Sequence, residues 1–317
     1  MKVSLDQAHN LIRSADQILI TGHIHPDGDC LGSMLGLYHH LKAAGKKATL
    51  LLDDDVPSGF RFLPNWTDIK KPAHQNEQYI TDLLIVLDAS DKERIGRVGA
   101  CVSGPVLNLD HHVSNTQFAD YWYVDTKAAA TGEIIVDLIH AAGEPIDPDS
   151  ALCLYTAIAT DCGFFRYANT TPKVLRYAAD LLEQKVKPEL VSESIETSTL
   201  ADIQSLIAVL GTLELQQEGR AALITVDSHA LSLTENTESY INYPRSIAGV
   251  EVAVMLKEVE ADCVRVSLRS KTADVSKIAL SFGGGGHMRA AGCTLNTTLD
   301  QAKSRILEAI ARGLAER

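Results

Sequence analysis

No apolar run in this chain approaches the roughly 18–20 residues that a membrane-spanning helix needs. The opening stretch "MKVSLDQAHNLIRSADQ" lacks the apolar core of a signal peptide. The expectation is a cytoplasmic protein with no membrane partner. Cysteine is sparse, at positions 30, 101, 153, 162, 263 and 293. None of the six forms a Cys-x-x-Cys pair, so neither a zinc ribbon nor a thioredoxin-like motif is indicated. Flanks such as "ALCLY" and "ADCVRV" read as buried free thiols, which fits a reducing compartment. Positive charge is short as well: 29 Lys and Arg against 41 Asp and Glu give a formal net charge of −12. A surface of that sign repels long polyanions, so duplex DNA is not an expected partner. A small phosphate-bearing substrate stays compatible if bound divalent cations concentrate positive charge in the site. No segment marks an oligomer interface, and a homodimer through an exposed apolar face stays open.

What is present is an ordinary globular composition, 45 % hydrophobic and 22 % charged over 317 residues, enough for two domains. The first half alternates short apolar strands with amphipathic helices. Strand patterns lie at 16–22, 47–52, 82–88 and 105–110. Helix patterns lie at 131–143, 149–161 and 172–184, and one in "CLGSMLGLYHHLKAAG" puts Leu31, Met34, Leu35, Tyr38 and Leu41 on one face. This predicts an α/β domain over 1–185 with a largely parallel sheet. A more polar helical stretch at 186–215 reads as a connector. Strand patterns at 220–227, 250–259 and 263–270, a glycine run and a helix near 300–315 predict a smaller α+β domain over 216–317.

The stretch "HIHPDGDC", His23 to Cys30, packs four ionisable groups at the end of an apolar strand. Two further strands end in the same way, "LLIVLDASD" and "VLNLDHH", and "TAIATDCG" ends an apolar helix in Asp161. In open α/β sheets ligands bind beyond the carboxyl ends of the strands. His23, Asp27, Asp29, Asp88, Asp110, His111 and His112 are therefore expected around one crevice. Any one Asp after a strand is as readily a helix cap or turn residue. Four such ends in one chain are not. So many carboxylates cannot stay ionised together without cations. Carboxylate and imidazole donors suit manganese, magnesium or cobalt.

His-x-x-Pro-Asp-x-Asp, a lone strand-end Asp, Asp-His-His and a downstream Asp, in this order, resemble the four motifs of the DHH phosphoesterase superfamily. "GGGGHMRAAG" (283–292) resembles the signature of its DHHA1 partner domain. Stand-alone chains of this layout resemble the NrnA-like nanoRNases and 3′-phosphoadenosine 5′-phosphate phosphatases. The resemblance implies two divalent metal ions, manganese first among them. His23 and Asp27 would hold one, Asp29, His111 and Asp161 the other, and Asp88 would bridge them. His112 would face the substrate as a hydrogen-bond or proton donor, with Asp110 behind it orienting an imidazole. Arg269, His287, Gly285, Gly286 and, more weakly, Ser270 would bind substrate phosphate, the second domain lying across a cleft from the first. The implied activity is hydrolysis of short oligoribonucleotides to 5′-mononucleotides, together with conversion of 3′-phosphoadenosine 5′-phosphate to AMP. The alternative within the same motifs is a stand-alone cyclic di-AMP or pApA phosphodiesterase.

Other residues carry weaker signals. The glycine run is neither a P-loop nor a dinucleotide fingerprint, since its spacing fits neither. Consecutive glycines let backbone N–H groups approach an anion. His25 reads as a loop residue, His39 and His40 as peripheral, and "DDD" at 53–55 as a solvated loop. Arg94 and Arg245 read equally well as cleft residues or as surface charges.

Overall fold

The computed structural model describes residues 1–72, 78–234 and 237–315. They divide into two compact units, Met1–Thr197 and Ser198–Arg317. The break falls inside the stretch expected as a connector.

The first unit is built on a six-stranded, all-parallel sheet. Its strands are β1 (Gln17–Thr21), β2 (Lys47–Leu51), β3 (Ile69–Lys70), β4 (Leu83–Leu87), β5 (Val106–Asp110) and β6 (Tyr121–Val124). Their order is β3-β2-β1-β4-β5-β6, and every adjacent pair is parallel. β4, "LLIVL", is buried at every position. A strand covered on both faces reads as a continuous apolar run, not as an alternation. The chain runs outward from β1 to β3 and then returns to the far side of β1 as β4. That reversal makes the gap between the ends of β1 and β4 the topological switch point, where such sheets bind ligands.

The longer helices of this unit, of nine residues or more, are α1 (Leu5–Ser14), α2 (Gly28–Ala43), α3 (Thr131–Ala141), α4 (Pro148–Asp161), α5 (Pro172–Glu183) and α6 (Pro188–Glu196). α2 was expected to bury one face. It is buried nearly all round, because it contacts the sheet, α3 and α4. α2 and α4 approach closely. A Cβ at Gly32 would fall 2.5 Å from the Cys153 carbonyl oxygen, and one at Gly36 would fall 2.7 Å from Leu154.

The second unit opens with α7 (Leu200–Leu210) and carries a mixed sheet of β7 (Glu214–Gln216), β8 (Ala221–Val226), β9 (Val252–Glu260), β10 (Cys263–Ser270), β11 (Gly285–His287) and β12 (Ala290–Leu295). The order is β11-β12-β10-β9-β8-β7, with only β8 and β9 parallel. α8 (Val275–Leu280) and α9 (Leu299–Ala315) supply Val275, Ile278, Ile306 and Ile310 to the core on one face. Along β10 the inward side chains are Val264, Val266, Leu268 and Ser270, while Arg265, Ser267 and Arg269 take the other face. β3, β6, β7, β11 and β12 have no counterpart among the expected strands; they are short or glycine-rich and give weak periodicity.

No helix among the described residues is long and apolar enough to cross a membrane. All six cysteines are free, and five of them are buried.

Candidate metal centre

β1 ends at Thr21, and the next residues turn sharply into α2. Gly22 makes the turn fit, since a Cβ there would lie 2.3 Å from Cys30 Sγ. Asp27 caps α2, accepting the Cys30 N–H at 3.0 Å. It is thus both the helix cap and a member of the cluster, so the two readings of a strand-end Asp hold together.

His23 is buried, and its Nδ1 lies 2.8 Å from the Ile24 carbonyl oxygen. Nδ1–H donates there, which leaves the lone pair of the neutral ring on Nε2. Nε2 faces Asp27 Oδ1 at 3.6 Å and Asp88 Oδ2 at 3.4 Å. His111 repeats the pattern. Its Nδ1 donates to the Ala128 carbonyl oxygen at 3.3 Å. Its Nε2 faces Asp88 Oδ1 at 3.5 Å, Asp29 Oδ2 at 3.7 Å and Asp161 Oδ2 at 3.8 Å. Two imidazoles therefore each point a lone pair at carboxylate oxygens. Acceptors facing acceptors repel, so a positive species belongs between them.

Asp88 stands between the two groups. It follows β4 directly, in the left-handed region at φ 58°. Asp tolerates that region better than most residues, yet a non-glycine residue there costs on the order of 1–3 kcal/mol and persists where the surroundings impose it. The Thr131 hydroxyl donates to Asp88 Oδ1 at 2.9 Å. Asp29 is held by the start of α3, whose own cap residue, Ala130, offers no side-chain acceptor. The N–H groups of Thr131 and Gly132 donate to Asp29 at 2.6 and 2.9 Å, and Ser33 Oγ donates at 3.0 Å. A carboxylate from α2 thus satisfies the exposed amides of a different helix.

The electrostatics describe a site with more negative charge than it can hold alone. Burial, and then Asp88, Asp161 and Asp27, push the Asp29 carboxyl well above the usual range. Burial pushes Asp161 up to about 6. Burial would depress the His23 imidazole, but hydrogen bonds and charge from Asp27 and Asp88 outweigh it and raise it to about 10. In the metal-free protein protons fill the role of the missing charge. Divalent cations would remove the conflict, and two donor groups fit them. His23, Asp27 and Asp88 form one, and Asp29, His111 and Asp161 the other, with one donor atom per residue lying within 4.8 Å of its fellows; Asp88, His111 and His112 lie as close together and overlap both.

Asp110 does a different job. It is wholly buried, and it accepts from His111 N at 2.9 Å, His112 Nδ1 at 2.8 Å and Asn115 Nδ2 at 2.6 Å. Burial pushes its carboxyl up, but the hydrogen bonds from His112 and Asn115 more than offset this and hold it below the usual range. The Asp110 hydrogen bond in turn raises the His112 imidazole against the opposing effect of burial. With Nδ1 engaged by Asp110, Nε2 is the nitrogen left available on a partly exposed ring. Thr131, Gly132, Ser33 and Asn115 were not among the expected site residues. Their contribution is hydrogen bonding across long sequence separations, which no local pattern announces.

Other expectations are corrected or left aside. His25 is exposed, and its N–H donates to Asp54 Oδ2 at 2.6 Å. The "DDD" segment is a loop with Asp55 exposed, as expected, but Asp53 and Asp54 make specific contacts in it. Asp53 binds Arg97 N at 2.8 Å and Arg97 Nε at 2.5 Å, while Asp54 braces the metal-motif loop. Arg94 meets that loop through its backbone, its carbonyl accepting Ile24 N–H at 2.7 Å. Arg245 is partly exposed in the second unit.

In the second unit Arg269 lies on the face of β10 away from the helices, its Nη1 donating to Leu268 O at 3.0 Å. Ser270 is turned to the opposite face. It is 6 % exposed, and its hydroxyl donates to the Ala273 carbonyl, so it is a turn-closing residue and not a phosphate ligand beside Arg269. The glycine run forms a β-hairpin in which Gly285, Gly286 and His287 pair with Gly292, Ala291 and Ala290. Gly286 has φ 132°, and a Cβ there would lie 2.5 Å from Ala291 Cα. The side chain of His287 lies outside the described part of the structure.

Residues 17–158 match the DHH family N-terminal domain, and residues 233–316 match the DHHA1 domain. The chain is 38 % identical over 295 residues to the bifunctional oligoribonuclease and PAP phosphatase NrnA of Thermus thermophilus, covering 92 % of this chain and 89 % of that protein. It is 24 % identical to the cyclic-di-AMP phosphodiesterase GdpP of Geobacillus thermodenitrificans, spanning 48 % of that protein. A crystal structure of an exopolyphosphatase-related protein from Bacteroides fragilis superposes with a TM-score of 0.90 at 25 % identity, covering 97 % of this chain and 95 % of that one.

Proposed function

The chain belongs to the DHH family, with a DHHA1 domain following, and on that premise we propose that it hydrolyses short oligoribonucleotides and 3′-phosphoadenosine 5′-phosphate. Both substrates present the same bond. Breaking P–O3′ releases a 5′-mononucleotide from an oligoribonucleotide, and AMP with inorganic phosphate from the bisphosphate. Water adds across that bond, its hydroxide to phosphorus and a proton to the departing 3′-oxygen.

The observation that carries the reading is the division of Asp88, one oxygen towards His23 and the other towards His111. His23 and Asp27 on one side, and Asp29, His111 and Asp161 on the other, would hold two divalent cations with Asp88 shared. Manganese suits this mixture of imidazole and carboxylate. When bound, the cations supply charge neutralisation at the phosphoryl oxygens and water activation at neutral pH. His112 then donates from Nε2 to a phosphoryl oxygen or to the leaving 3′-oxygen, and Asp110 keeps its ring turned for that task. Asp29 remains fixed by the start of α3 throughout. To the second unit we assign the grip on a terminal phosphate, through Arg269, whose planar fork suits phosphate, the glycine hairpin at Gly285 and Gly286, and His287. The acidic surface favours short substrates. Free, mostly buried thiols favour a reducing, cytoplasmic setting.

The test is a parallel assay with manganese on a five-nucleotide RNA, 3′-phosphoadenosine 5′-phosphate, pApA, cyclic di-AMP and pyrophosphate. Turnover of the first two to 5′-mononucleotide and AMP is expected. Cleavage of cyclic di-AMP or pyrophosphate alone would overturn the assignment.

A further inference from the structure

A second histidine–carboxylate cluster lies in the first unit away from the site described above. It joins His39 on α2 to Asp147 and Asp149 at the start of α4, with one donor atom from each within 4.8 Å of the others. Asp29 and His39 lie ten residues apart on α2, and Asp149 and Asp161 twelve apart on α4. At 1.5 Å per residue the cluster stands about 15–18 Å along the helix axes from the proposed catalytic donors.

The details point to a ligand. His39 has a side chain only 6 % exposed, in the latter half of a helix that is buried nearly all round. Its Nε2 lies 3.1 Å from the Pro64 carbonyl oxygen, so Nε2–H donates and Nδ1 keeps the lone pair of the neutral ring. Nδ1 faces Asp149 Oδ2 at 3.9 Å, beyond hydrogen-bonding distance. Asp147 Oδ1 caps α4 by accepting from Asp149 N at 3.0 Å and Ser150 N at 3.1 Å. Its Oδ2 is buried and has no hydrogen-bond partner. A buried, unpartnered carboxylate oxygen is costly, and a buried imidazole with an unmatched lone pair adds to that cost. The two carboxylates bring two negative charges against roughly half a positive charge at the helix end, so the cluster stays net acidic.

We infer that His39, Asp147 and Asp149 bind a divalent cation of the zinc class, which clips the start of α4 to the latter half of α2. Zinc takes imidazole and carboxylate oxygen at about 2.1 Å, with tetrahedral donors about 3.4 Å apart. The cluster contracts on binding, and Asp149, with a side chain 62 % exposed, has the freedom to move. With Asp147 Oδ1 engaged by the helix amides, Oδ2 is the oxygen of that carboxylate left to take a cation. The cation also fixes the pair of helices whose far ends carry Asp29 and Asp161. The site is structural, because no open face or substrate path is required of it.

The experiment uses the full chain, stripped of metal, reloaded with zinc, desalted and measured by elemental analysis. The wild type is expected to hold one more zinc per chain than Asp149→Asn and than His39→Gln, while an Asp88→Asn variant keeps the His39 zinc. Anomalous diffraction at the zinc edge should show a peak within bonding distance of His39 Nδ1. Equal zinc counts in wild type and Asp149→Asn, or no peak beside His39, would overturn the inference. So would an NMR titration in saturating zinc in which His39 still takes up a proton and pairs with Asp149. Loss of zinc at Asp88 alone bears on the catalytic centre and leaves this site standing, so the two failures are distinguishable.

Discussion

Asp88 sets its Oδ2 3.4 Å from Nε2 of His23, at the switch point of a parallel sheet and in a left-handed backbone conformation. Its other oxygen, Oδ1, sits 3.5 Å from Nε2 of His111. Both imidazoles are locked by Nδ1–H bonds to backbone carbonyls, so both present lone pairs to the same carboxylate. This arrangement is unstable without positive charge and well suited to two cations.

Removing metal should make stability depend on pH in a specific direction. His23 is raised to about 10 in the folded, metal-free chain, above its unfolded value of about 6.5. The folded state therefore binds the proton more tightly. That contribution is fully present below about pH 6.5 and is lost as pH rises through about 10. The expected slope from this group is about 1.4 kcal/mol per pH unit within the window. Asp161, raised to about 6, acts in the same sense between about pH 4 and 6. Urea unfolding of metal-free protein at a series of pH values checks this. Manganese should abolish the decline, since the cation replaces the proton.

His112 and Asp110 should separate catalysis from metal binding. His112→Gln removes the Nε2 donor and is expected to lower kcat by about 10²–10⁴-fold with the metal count unchanged. Asp110→Asn loosens the ring behind it and is expected to cost about 10–100-fold. Steady-state kinetics paired with elemental analysis checks both. Loss of metal in His112→Gln would place that residue among the ligands.

Gly32→Ala tests the close approach of α2 and α4. Its Cβ would meet the Cys153 carbonyl oxygen at 2.5 Å and Ala157 Cβ at 2.8 Å, neither of which can swing aside. Overpacking of this kind costs about 1–3 kcal/mol. Because Asp29 and Asp161 ride on these two helices, manganese affinity should fall together with the denaturation midpoint.

Adjacent residues on β10 should behave oppositely. Arg269→Ala is expected to raise KM for a nucleotide bearing a terminal phosphate about tenfold or more, as the loss of a charge-assisted pair of about 1.5–3 kcal/mol implies. Ser270→Ala should leave KM unchanged and cost about 1 kcal/mol of stability through its lost bond to the Ala273 carbonyl.

Much of the fold was legible because parallel strands covered on both faces announce themselves as apolar runs. "LLIVL" and "QILIT" appear as β4 and β1 within a residue of their expected limits. The cluster was legible because its donors follow strand ends directly, as at Asp88 after Leu87 and His111 after Asp110. The support around those donors was hidden. Thr131 reaches Asp88 across 43 residues, and the Thr131 and Gly132 amides reach Asp29 across 102 and 103. Nothing local in "AAATGE" distinguishes these from ordinary helix-start residues. β11 and β12 were hidden for a different reason. Glycine-rich strands have few side chains with which to alternate, so "GGGGH" reads as a loop until its pairing with Ala290–Leu295 is seen. Ser270 was misplaced because strand alternation puts neighbouring residues on opposite faces, so proximity to Arg269 in sequence separates them in space.

The most direct measurement is anomalous diffraction at the manganese edge from crystals of the wild-type chain grown with manganese. Two peaks flanking Asp88 are expected, one bonded to Oδ2 with His23 and Asp27, the other to Oδ1 with Asp29, His111 and Asp161. A single peak, or two peaks with no shared contact to Asp88, would contradict it.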